Sequence, residues 1–257
     1  MDKKQIILGL DVSTTCIGTS VASYDGEKIE ILYVDYVKFK TSKKYKGTNS
    51  LFYKIEQFKE QFIGKITEWG ITDIVIEEPL SASQNVVTVN ALMKFNGMIS
   101  QLIYDKTGIM PQYISSYNAR KYGFPDLLAV RKYNKKEEPY EKRKILKSLK
   151  NHEVVSFGSY PYSCLKKNIL WNKISELYPD IKWSFDKEGE LCKENFDASD
   201  AIVCILGYVN HTKYGDEAPK VSDINVTEND NNTTTITYKI TFCGQTMDKK
   251  NILVDKK

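Results

Sequence analysis

An α/β fold on a mixed five-stranded sheet, flanked by helices and followed by a small β-rich extension, is what this 257-residue sequence predicts. Three observations point there. Residues 6–37 alternate aliphatic runs with turn signals, the pattern of an antiparallel three-strand meander. Two further short aliphatic runs then alternate with helix-period segments, which adds strands and flanking helices. From Gly215 onward the composition shifts to Asn, Thr, Lys and Asp around alternating apolar positions, the mark of a separate β appendage.

The first strand is read over residues 6–11, where five of six residues are aliphatic or glycine, as suits a strand buried on both faces. A Ser/Thr turn leads to a second strand at 17–24, and Asp25-Gly26 is a hairpin signal before a third at 29–37. A lysine-rich loop precedes a helix at 51–69, whose Phe52, Ile55, Phe58, Phe62, Ile66 and Trp69 keep helical spacing. The fourth strand is 73–77, ended by Pro79. A helix at 89–107 closes on Gly108, and a fifth strand follows at 110–114. Further helices are read at 116–122, 139–150 and 166–177, with irregular chain at 123–136 and 152–163. A hairpin turn at Lys187-Glu188-Gly189 precedes a mostly apolar helix at 195–209. In the tail, strands at 221–227 and 233–242 pair across 229–232, with a third at 251–254. The domain reading is therefore a core of residues 1–212, with insertions near 123–138 and 151–195, and an extension of 213–257.

An apolar fraction of 41% with 12% aromatics excludes global disorder. Net charge is only +4, but it is uneven. Residues 39–46 carry four lysines, Lys43 and Lys44 among them, and no acid; residues 131–150 hold nine Lys/Arg against three Glu. Such runs are usually solvated surface, and two of them beside a carboxylate site suit a polyanionic partner. Five scattered cysteines with no C-x-x-C pair signal neither a disulfide framework nor a zinc site. With no leader or long apolar run, an intracellular protein with no membrane partner is expected. Two histidines leave histidine-centred catalysis poorly supplied.

The chemistry-bearing residues are acids. Asp11 ends the first strand, Glu77 ends the fourth, and Asp197 and Asp200 open the last core helix three residues apart, hence on one face. Asp11 alone could also cap a turn, and the helix dipole alone could account for acids in a first helical turn. Together, four carboxylates form an oxygen-rich site suited to Mg²⁺ or Mn²⁺. Two such ions can activate a water and stabilise a leaving oxygen in phosphodiester hydrolysis.

On Ile7-Leu8-Gly9-Leu10-Asp11 with Gly18, Val75-Ile76-Glu77 and Asp197-Ala198-Ser199-Asp200-Ala201, the sequence resembles the RuvC family of Holliday junction resolvases, within the RNase H-like superfamily. The resemblance implies an RNase H-like sheet, metal ligands at Asp11, Glu77, Asp197 and Asp200, two Mg²⁺ or Mn²⁺ ions, and a homodimer that nicks four-way DNA symmetrically. Lys121, from the stretch 111–121, and Lys142, from Tyr140-Glu141-Lys142, are implied as phosphate-contacting catalytic lysines. Arg143, Lys43 and Lys44 join them as DNA-binding residues, and Leu80 stands where the family carries a junction wedge. Three alternatives stay open: an RNase H-like nuclease acting on RNA or other branched DNA, an actin/Hsp70-like ATPase reading Asp11-Val12-Ser13-Thr14-Thr15 as a phosphate loop, and a non-catalytic nucleic-acid-binding relative.

Overall fold

A computed structural model describes residues 4–79, 85–229 and 233–254. Two compact units emerge, one of residues 1–119 with 167–208, the other of residues 120–166 with 209–257. The stretches read as an insertion at 123–138 and as a C-terminal extension thus fall in the same unit.

The first unit holds the mixed sheet. Its strands are β1 (Gln5–Val12), β2 (Cys16–Tyr24), β3 (Ile29–Lys38), β4 (Asp73–Glu77) and β5 (Gln112–Ile114), in the order β3-β2-β1-β4-β5. β2 runs antiparallel to β1 and β3, whereas β4 is parallel to both β1 and β5. This is the RNase H-like order, and it satisfies the expected meander plus two strands. The alternation of β1 sends Leu8, Leu10 and Val12 to one face, where they pack with Ile74 and Ile76, with Leu51, Ile55 and Phe58 of α1 (Thr48–Phe58), and with Phe95, Ile99 and Ile103 of α2 (Val86–Thr107). Burying each such side chain contributes about 1.5–3 kcal/mol.

The single helix expected at 51–69 is broken. After α1 the chain makes a π-helical turn at Lys59–Ile63 and a 3₁₀ turn at Ile66–Glu68. The wider turn changes the phase of the helix face, and Phe62 and Trp69 then meet Tyr33 of β3, with Trp69 4.9 Å from it between ring centroids. The remaining helices are α3 (Ser116–Gly123), α4 (Lys142–Lys150), α5 (Lys166–Leu177) and α6 (Glu194–Tyr214). α4 starts three residues later than read, because Pro139 bridges to Tyr133. The hairpin near 187–189 is present, closed by a Phe185–Leu191 bridge.

The second unit pairs β6 (Leu128–Val130) with β7 (Val154–Ser156), two strands lying where irregular chain was expected. Three residues are too few to show a period, so nothing in the local pattern announces them. Its larger sheet, β10-β9-β8, comprises β8 (Lys220–Asn229), β9 (Thr233–Phe242) and β10 (Gln245–Val254), all antiparallel. β9 buries every second residue, and its Ile236, Tyr238, Ile240 and Phe242 form a core with Leu128, Val130, Ile145 and Leu149.

Candidate active site

Gly9 and Asp11 share the face of β1 opposite Leu10, and α6 lies directly on that face. A Cβ on Gly9 would come within 2.4 Å of the Ala201 carbonyl oxygen, and one on Gly18 within 1.9 Å of the Asp197 carbonyl oxygen. Only glycine lets the start of α6 approach β1 and β2 this closely. Gly18 is the register partner of Asp11, so the same contact sets Asp197 beside Asp11. Glu77 follows Ile76, which pairs with Leu10 across the parallel β1–β4 seam, so the two strands end side by side in carboxylates. Further along α6, the Tyr208 hydroxyl donates to Asp73 at 3.1 Å and ties that part of the helix to the sheet. The four sequence-read acids are therefore brought together by two parallel strand ends and one helix start. Open α/β sheets place ligands at such carboxyl ends.

The electrostatics reflect this crowding. Burial, then the charges of Glu77, Asp200 and Asp197, pushes the Asp11 carboxyl well above the usual carboxylate range, and Lys167 offsets this only in part. Asp200 is buried, Asp11 and Glu77 are half-buried, and Glu78 is exposed. Glu77 is thus the member of the Glu77-Glu78 pair that faces Asp11. Cys16 is buried next to Asp197; burial first, then the Asp197 carboxylate, pushes the thiol's pKa up.

Sequence reasoning missed a cation at the site. Lys167 Nζ stands 3.3 Å from Asp197 Oδ1 and 3.4 Å from Asp200 Oδ2. Burial alone lowers its pKa, but the charges of Asp200, Asp197 and Asp11 prevail and raise it. A signal was available: Lys167 shares the stripe of α5 that buries Leu170 and Ile174, and a lysine on a buried stripe needs an acid. Trp171 packs on Trp183 at 5.8 Å and holds α5 in place. The turn after Asp11 is closed by Ser13, whose hydroxyl donates to Cys16 O at 2.8 Å, while Lys54 of α1 reaches Thr14 O at 2.7 Å.

The other sequence-read residues have different partners. Lys121, in the second unit, donates to Glu217 O at 3.3 Å and lies over the rings of Tyr122 and Phe242. Lys142 pairs with Glu228 at 2.8 Å, and Arg143 beside it is exposed. Lys43 and Lys44 are exposed in the loop before α1. Leu80 lies outside the described residues.

The donor set fits a hard divalent cation in kind, since all four groups are carboxylates, and the ammonium of Lys167 marks the place as one that draws positive charge. Among the described residues no group of three or more His, Cys, Asp or Glu side chains stands close enough to hold an ion as placed. Lys167 reaches two of them. Among the described residues no helix is long and apolar enough to cross a membrane.

No protein-family model matches the chain, and no curated protein does. Among solved structures, T. thermophilus RuvC in complex with a Holliday junction substrate is similar at 11% identity, over 82% of this chain and 97% of that one, with a TM-score of 0.47. An Aquifex aeolicus member of the Ppx/GppA family is similar at 10% identity, over 80% and 88%, with a TM-score of 0.34. A ROK hexokinase from Thermus thermophilus is similar at 20% identity over 49% and 40%, with a TM-score of 0.28. Likenesses this loose carry no weight for activity.

Proposed function

We propose that this chain is a divalent-metal-dependent endodeoxyribonuclease of the RuvC type that cuts four-way DNA junctions, working as a homodimer. One observation carries the reading: Asp11, Glu77, Asp197 and Asp200 converge at the ends of β1 and β4 and the start of α6, crowded enough to push Asp11 well above the usual carboxylate range. A set of like charges on a fold's ligand-binding edge is costly unless a cation is part of its working state. These four residues would hold Mg²⁺ or Mn²⁺, two ions in the RuvC arrangement. When bound, the metal supplies water activation and charge neutralisation at the scissile phosphate. Lys167 is then placed to meet a phosphate oxygen, the role that sequence resemblance gave to Lys121 and Lys142. Lys121, Lys142 and Arg143 in the second unit, with Lys43 and Lys44 in the first, would bind the DNA backbone.

Against the ATPase reading, one sheet of this type is present among the described residues, where such enzymes use two. Purified chain with Mg²⁺ should be offered four-way junction, flap, duplex and RNA–DNA hybrid. Paired symmetrical nicks confined to the junction support the proposal; cutting of flap or hybrid alone replaces it with a related nuclease, and ATP hydrolysis without any cutting overturns it.

A further inference from the structure

The second unit holds a recess that none of the acids explains. It is lined by Arg131, Ser156, Phe157, Tyr160, Tyr162 and Lys166, and measures about 300 Å³ with its open mouth included. Its floor is built, not incidental. Phe157 adopts φ +61°, a left-handed conformation that a bulky side chain rarely takes. Gly158 next to it admits no side chain, because a Cβ would lie 2.2 Å from Ala129 O. Backbone hydrogen bonds then tie this loop to β6 and its flanks: Phe157 N donates to Leu127 O at 2.9 Å, and Lys132 N to Gly158 O at 2.8 Å.

Two chemistries meet on the rim. Tyr160 and Tyr162 are exposed, at 38% and 41%. Arg131 lies over the Tyr162 ring at 5.4 Å and also hydrogen-bonds its hydroxyl, while Lys166 lies over the Phe157 ring at 5.8 Å. Ser156 Oγ is buried and has no hydrogen-bond partner among the described residues. Exposed rings beside fixed cations are what single-stranded nucleic acid uses, with bases on the rings and phosphates on the cations. An acidic peptide would use the cations and leave the rings idle. At about 300 Å³ with its mouth included, the recess lies at the lower end of ligand-pocket sizes, which suits one planar base.

We propose that this recess docks one unstacked nucleotide of a DNA strand, with its base on Tyr160 or Tyr162, its phosphate at Arg131 and Lys166, and Ser156 Oγ at the base edge. The proposal deepens the nuclease reading and rests on it for the choice of DNA, since strands open at a branch point. It supplies a means of recognising opened bases that is separate from the acid cluster.

The test uses the full chain in EDTA, where cutting cannot occur, and follows the anisotropy of a fluorescein-labelled oligothymidylate and of a blunt duplex. Replacing both rings, Tyr160→Ala with Tyr162→Ala, should weaken single-strand binding by about tenfold or more and duplex binding by less than about twofold. The pair Tyr160→Phe with Tyr162→Phe should bind the single strand like the parent, because it keeps the stacking faces. Equal loss on both DNAs, no loss on the single strand, or failure of the Phe pair to restore binding overturns the proposal, as does a parent chain that ignores oligothymidylate. Mg²⁺-dependent cutting is scored separately. Single-strand capture without cutting sinks the nuclease reading alone, and cutting without ring-dependent capture sinks this proposal alone.

Discussion

The two units divide charge between them in opposite ways. The first has 18 Lys/Arg against 21 Asp/Glu, a net of −3, and the second has 19 against 12, a net of +7. The acidic unit spends its chemistry on a few charges at the end of a buried sheet, where each is felt by the others. In the basic unit many cations are spread over exposed surface, such as Arg143, Lys144, Lys147 and Lys150 on one side of α4. Charges of the first kind act through low dielectric and position; those of the second act through number and are screened by salt. Substitutions in the first unit should therefore change catalysis and folding sharply, and those in the second should change DNA affinity by degrees.

The largest effect is expected at Asp11. Losing an outer partner of a metal site costs about 10- to 100-fold, so Asp11→Asn should cost more than about a hundredfold in Mg²⁺-dependent cutting while junction binding persists. A variant that cuts at the parent rate removes Asp11 from the site. Stability should move the other way. Folded Asp11 holds its proton to higher pH than an unfolded aspartate, so between about pH 4 and the raised value the folded state binds more protons. Its contribution is fully present below the unfolded value and is lost as pH climbs through the folded one. In EDTA at neutral pH, Asp11→Asn should melt about 2 °C or more above the parent, with the gap closing towards pH 4. A lower melting point at neutral pH would contradict the crowding.

Next in size is Gly18→Ala. The new methyl would meet the Asp197 carbonyl at 1.9 Å, a backbone atom that cannot swing aside. Either α6 lifts from the sheet or the fold strains, for a loss of about 3 kcal/mol by denaturant titration. Because α6 carries two of the acids, cutting should fall further than stability explains. An unchanged titration midpoint would show that α6 does not rest on β2.

Lys167→Met should have a smaller effect. It leaves Asp197 and Asp200 without their shared cation, and with half of the lysine solvated the cost is about 1–2 kcal/mol in EDTA. Added Mn²⁺ should then raise the melting point of the variant more than that of the parent, since the ion replaces the missing charge. Equal shifts in both proteins would mean that Lys167 and the metal do not answer the same charges.

The same contrast between units explains what the sequence could disclose. The meander, β4 and the Asp197-x-x-Asp200 helix start were legible because each is local: a period of two, a hairpin dipeptide, two acids one turn apart. Lys167 left only a weak signal, a lysine on an apolar helix stripe, because its partners lie thirty and more residues away. Gly9 and Gly18 read as strand glycines, and only the position of α6 shows why they lack side chains. β6 and β7 are defined by each other and by the sheet of β8, β9 and β10, not by three residues of pattern. The roles carried to Lys121 and Lys142 rested on the resemblance of the stretches 111–121 and 140–142 to family motifs, and a short motif does not say which partners its lysine meets in the fold.

The smallest expected effect tests the basic unit on its own terms. Lys142 Nζ is held 2.8 Å from Glu228 Oε1, and Glu228 is largely exposed. The Lys142 ammonium holds the Glu228 carboxyl below its ordinary range. A solvated pair of this kind adds little to stability, so Lys142→Ala should leave the melting point unchanged. If Lys142 meets a phosphate, the substitution should weaken junction binding by a similar factor whatever the sequence, and lower the slope of log affinity against log salt by about 0.9. Glu228→Gln separates this from a folding effect. It keeps the shape, frees the ammonium and should tighten binding, with a salt slope no smaller than the parent's. Weakening by both substitutions would mean that the Lys142–Glu228 pair serves the fold. Weakening by the first and tightening by the second assigns Lys142 to the DNA backbone, where many exposed cations each contribute a small, salt-dependent share.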